Sequence, residues 1–89
     1  MINGIQPNFT GVLHVHGDIS RFNFANKKRN KDYTLNPEKI IRTTQFRKNV
    51  VRVYTDDNII YHVRKIDKKT FDEAWNKALT TDNVIDLQA

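Results

Sequence analysis

The chain has 89 residues, 38% hydrophobic and 10% aromatic, with no cysteine and a formal net charge of +5; that size fits one small domain over residues 1–89, and the aromatic content sets it apart from disordered chains. The absence of cysteine excludes disulfides and cysteine-based zinc fingers and points to a reducing, cytoplasmic setting, while no apolar run approaches the roughly 20 residues of a membrane span. Thirteen of the fifteen Lys and Arg residues lie between Lys27 and Lys69 against five acids, and positive charge so concentrated suits a phosphate backbone or an acidic protein surface.

The amino terminus, Met1-Ile2-Asn3-Gly4-Ile5-Gln6-Pro7, lacks the charged head and apolar stretch of a signal peptide, so an unprocessed protein is expected. From Thr10 to Phe24 two alternating runs flank Gly17-Asp18, a pair that suits a two-residue type II′ turn with Gly first. The expected hairpin pairs Leu13 with Phe22 and Gly11 with Phe24 on a core face. His14 then pairs with Arg21, and His16 with Ile19, on a polar face.

Residues Ala25 to Asp32 lack apolar periodicity and hold four cations, Lys27, Lys28, Arg29 and Lys31, so they read as an exposed basic loop. Asn36 followed by Pro37 signals a short helical turn, because Asn caps and Pro fits the first helical position. The β-branched stretch from Arg42 to Lys48 is expected to run extended into the next strand, the alternative being a helix that continues to Thr44.

Asn49 to Ile66 reads as a hairpin around Asp56-Asp57-Asn58, with Asn58 left-handed. Its register pairs Val51 with Val63, Val53 with Tyr61 and Thr55 with Ile59 on the core face. Arg52 with His62, Tyr54 with Ile60 and Val50 with Arg64 share the other face. Thr70-Phe71-Asp72-Glu73 matches a capping box. Phe71, Ala74, Trp75, Ala78 and Leu79 then follow at helical spacing, a stripe of about 11 residues that needs a sheet to pack on. Val84 to Leu87 suits an edge strand or a docked tail. The expected fold is α+β: an antiparallel sheet of two β-hairpins, four or five strands, with one C-terminal helix on one face.

Chemistry-bearing patterns are sparse. His14-x-His16 places two imidazoles on one side of a strand, but a metal would need a third ligand, and neither His62 nor Asp18 can be tied to the pair from sequence, so no metal or other cofactor is assigned. No nucleophile elbow, catalytic carboxylate pair or phosphate-cradling glycine loop is present, and the chain is not expected to be an enzyme. The expected binding residues are Lys27, Lys28, Arg29, Lys31, Arg47, Lys48, Arg52, Tyr54, His62 and Arg64, with Tyr33, Phe46 and Tyr54 available to stack on bases. The expected partner is DNA or RNA gripped through its phosphates; the alternative is an acidic surface on a protein that normally handles nucleic acid, met by an inhibitor or adaptor of the kind a virus or mobile element deploys.

Overall fold

The computed structural model describes residues 11–23 and 27–89. Strands β1 (Val12–Phe22) and β2 (Lys27–Leu35) precede a 3₁₀ turn over Pro37–Lys39. Strands β3 (Ile40–Arg47), β4 (Val50–Thr55) and β5 (Ile60–Arg64) follow, then helix α1 (Lys68–Leu79) and strand β6 (Val84–Gln88). The α+β fold is as the sequence leads one to expect, with the helix covering one face of the sheet. Strands run in the order β2-β1-β5-β4-β3, all antiparallel neighbours, and β6 adds a parallel sixth beside β1.

The β4–β5 hairpin has the register read from its alternation: Val51 sits opposite Val63, Val53 opposite Tyr61, and Arg52 opposite His62. Asn58 takes φ 66° at its tip, where a short polar side chain tolerates the left-handed backbone. Thr55 hydroxyl donates to the Asp57 carboxylate at 2.5 Å and holds that carboxyl below its ordinary range. The 3₁₀ turn likewise starts where expected, Asn36 Oδ1 accepting from Glu38 N at 3.0 Å.

Three expectations are corrected. Gly17-Asp18 is not a turn: β1 runs through it as one eleven-residue strand, and the pair forms a bulge between His16 and Ile19. Phe22 therefore sits opposite Lys27 of β2 and Ile60 of β5 rather than Leu13. A local turn is outweighed because a continuous β1 pairs with β2 along one edge and with β6 and then β5 along the other; the expected Gly11–Phe24 pair reaches outside the described residues. Second, Lys27 to Leu35 is not a basic loop but a strand at the sheet's edge, where Lys is a common guard against further pairing. Third, the helix is capped by Asp67, whose carboxylate accepts from Thr70 N at 2.9 Å. The Thr70–Glu73 box thus gives way to a cap three residues earlier. The stretch after Arg42 is its own strand, turned into β4 through Lys48 and Asn49, the latter at φ 59°.

Phe71, Ala74 and Ala78 of α1 are buried against Leu13, Val15 and Val51 of the sheet. The small alanines let the helix lie close, and the Thr43 hydroxyl fastens it by donating to Asp72 at 2.6 Å. Trp75 is half-buried and its indole N–H donates to Pro37 O at 2.9 Å. Among the described residues no helix is long and apolar enough to cross a membrane.

Candidate functional site

With α1 on one side, no described element covers the opposite face of β3, β4 and β5. These three strands carry four arginines, Arg42, Arg47, Arg52 and Arg64, and no acid. Alternation puts Arg52 and Tyr54 of β4 outward because Val51 and Val53 face the core, and the same logic directs Ile60, His62 and Arg64 of β5. The register then sets Arg42 beside Tyr54 and Thr44 beside Arg52.

The side chains form a stacked mosaic. The Arg42 guanidinium lies 4.1 Å from the centre of the Tyr54 ring, and that of Arg52 lies 4.0 Å from Phe46. His62 is sandwiched, with Phe46 and Phe22 each 4.7 Å away between ring centres. Arg52 Nε also donates to His62 Nε2 at 3.0 Å, which requires a neutral imidazole with its proton on Nδ1. Hydrogen bonding from Arg52, reinforced by the charges of Arg52 and Arg42, holds the Tyr54 phenol below its ordinary value. Guanidinium planes stack on aromatic faces in a way ammonium groups do not, which explains why arginine rather than lysine lies among these rings.

Arg64 has a different setting. Its Nη1 donates to Asp18 at 3.1 Å and to the buried Ser20 hydroxyl at 2.8 Å, so this cation braces β5 against the bulged part of β1. Two depressions open on the face. One, about 410 Å³, lies among Phe22, Phe46, Arg47, Val50, His62 and Arg64. The other, about 480 Å³, is mainly apolar, with Phe22, Ile41, Tyr54, Ile59 and Ile60 in its walls. Ile41 is 60% exposed in the wall of the apolar hollow, Phe46 is 39% exposed in the other, and Phe22 lines both.

Arg47, Arg52, Tyr54, His62 and Arg64 are thus brought together, with Lys48 at the adjoining β3–β4 turn. Lys27, Lys28, Arg29 and Lys31 belong to β2, separated from β4 by β1 and β5. The described side chains of Lys28 and Lys31 are exposed. Tyr33 is not a stacking platform: it packs toward the helix side, 5.3 Å from Tyr61 between ring centres, with Arg21 Nη1 donating to its hydroxyl at 3.4 Å. Hydrogen bonding from Tyr61, and next that from Arg21, lowers the Tyr33 phenol, while burial raises that of Tyr61. Phe22 and Arg42 join the site from outside the expected set. A turn at Gly17-Asp18 would place Phe22 in the core, and Arg42 becomes visible only when Arg42 to Arg47 is recognised as a strand of its own.

The chain matches no protein-family model, no curated protein and no solved structure.

Proposed function

We propose that the open face of β3, β4 and β5 binds single-stranded nucleic acid. The observation that carries this reading is the interleaving of Arg42, Arg47 and Arg52 with Phe46 and Tyr54 on strands that hold no acid. Exposed rings on a sheet offer a base a flat, sequence-tolerant partner, and adjacent guanidinium groups reach the phosphates on either side of it. A folded duplex hides its base faces, so the ring-bearing centre favours an unpaired strand. The exposed Lys48 beside it extends the positive field that draws the polyanion in.

The test is fluorescence anisotropy of labelled single- and double-stranded DNA and RNA over a salt series. The expected result is tighter binding of single strands, with affinity falling steeply as salt rises. Phe46→Ala should weaken it by about 1–3 kcal/mol, the range for a base stacked on an aromatic ring. Arg47→Glu with Arg52→Glu should weaken all sequences alike and flatten the salt slope by about one for each phosphate no longer gripped. No binding at physiological salt, or binding indifferent to Phe46 and Arg52, would overturn the proposal.

One observation favours the protein-partner reading. The apolar hollow beside Ile41 is large enough to take an apolar side chain of a partner. A stoichiometric protein complex that withstands high salt and is lost in Ile41→Asp would transfer the site to an acidic protein with an apolar anchor.

A further inference from the structure

We propose that His14, His16 and Asp86 form a binding site for a divalent transition-metal ion of the zinc class. The three lie on β1 and β6, on strands other than the β3 and β4 that carry Arg42, Arg47 and Arg52. Leu13 and Val15 of β1 and Leu87 of β6 are buried under the helix, so the alternating residues His14, His16 and Asp86 emerge on the other side. The parallel pairing of β1 with β6 sets Asp86 opposite His14. One ligand atom from each of the three falls within 4.8 Å of the other two, with His16 Nε2 and Asp86 Oδ1 already 2.8 Å apart.

Metal bonds of about 2.0–2.2 Å to imidazole nitrogen and carboxylate oxygen place neighbouring ligand atoms of a tetrahedral ion about 3.3 Å apart. These side chains are half-buried or exposed, and their ligand atoms, already within 4.8 Å of one another, need only a small inward movement to reach that spacing. The His14 and His16 rings lie almost parallel, their centres 4.2 Å apart, and a shared ion would hold them on one side of β1.

A fourth residue supplies an independent indication. Asp32 of β2 approaches the other nitrogen of His16, with Oδ1 3.9 Å from Nδ1, and the same oxygen accepts from Gly17 N at 3.3 Å. Metal-bound histidines commonly direct their second ring nitrogen at a carboxylate, which fixes the tautomer and strengthens the ligand. Asp32 is placed for that outer role while Nε2 of His16 faces the ion. Two imidazoles and one carboxylate select zinc, nickel, cobalt or copper over magnesium or calcium, which prefer oxygen. Three protein ligands leave at least one position for water. Because the ligands come from both strands, the ion would clip β6 to β1.

The whole chain, freed of any affinity tag and treated with chelator, should be titrated with Co(II), Zn(II) and Ni(II) by calorimetry and by the visible absorption of cobalt. The expected result is one ion per chain, a cobalt spectrum of low coordination number, and a Tm that rises with metal concentration by mass action. His14→Gln, His16→Gln and Asp86→Asn should each lower the affinity at least tenfold. Asp32→Asn should lower it about 10- to 100-fold, as loss of an outer carboxylate does. His62→Gln, on β5 opposite Ser20 and outside the cluster, should bind normally. Lack of binding by the unaltered protein at millimolar metal overturns the site whatever the variants do, and so does binding that survives His14→Gln and His16→Gln but fails in His62→Gln.

Discussion

Gly17→Ala separates a bulge from a turn. Gly17 has φ 119°, a backbone conformation that L side chains rarely adopt, and a Cβ built there falls 1.8 Å from the carbonyl oxygen of Ala89. Holding alanine in so sparsely populated a conformation costs about 1–3 kcal/mol. The clash also obliges Ala89 to withdraw, breaking the hydrogen bond from Ala89 N to His16 O at 2.7 Å, worth about 0.5–1.5 kcal/mol. Together these predict a loss of about 2–4 kcal/mol, and a Tm lower by at least about 8 °C for a domain of this size. The assay is urea and thermal unfolding of Gly17→Ala, of a chain ending at Gln88, and of the two combined. Removing Ala89 eliminates the clash and forfeits the same hydrogen bond, so that loss is shared and the two changes combine to less than their sum, by about 0.5–1.5 kcal/mol. Additive effects would refute the contact with Ala89 and return Gly17 to an ordinary tight turn, whose strain does not depend on the end of β6.

Phe71→Ala should cost about 3–5 kcal/mol in chemical unfolding, since its ring is fully buried between α1 and the sheet. Trp75→Phe should cost about 1 kcal/mol by loss of the bond to Pro37 O; an unchanged midpoint would show that the indole N–H is satisfied by water. Glu73→Ala should leave stability within about 0.5 kcal/mol because Glu73 is exposed and Asp67 caps the helix. The Asp67 carboxyl is held below its ordinary value by the Thr70 hydroxyl and then by Thr70 N. A lowered carboxyl stabilises the fold above the unfolded value, about pH 4, and loses that contribution as pH falls through its folded value. Asp67→Asn should accordingly flatten the Tm profile below about pH 4; an unaltered profile would argue against the cap.

The β4–β5 hairpin is legible in the sequence because its pattern of period two runs without interruption on both sides of an Asp-Asp-Asn tip, and its register keeps the pairs Val51–Val63 and Val53–Tyr61 inward. The apolar spacing of α1 is equally plain, although its start is not: Asp67 and Thr70 are both good caps, and the choice depends on which backbone N–H each side chain meets. Gly17-Asp18 misleads for a physical reason. A glycine able to take positive φ serves a bulge as well as a type II′ turn, and the selection is made by strands more than forty residues away. That single choice moves Phe22 from the expected core to the open face and turns a basic loop into an edge strand.

By itself the sequence determined the periodicity of the strands and helix, the concentration of cations between Lys27 and Lys69, and the two-residue spacing that puts His14 and His16 on one side of β1. These are properties of neighbours along the chain, set by backbone geometry over a few residues. Only the tertiary structure decided that Arg42, Arg52, Phe46 and Phe22 converge on one face, that Tyr33 turns away from it, and that Asp86 arrives beside His14. Such convergence depends on strand order and on burial of β1 beneath the helix, which arise from long-range pairings whose energy comes from contacts between segments rather than from any local preference.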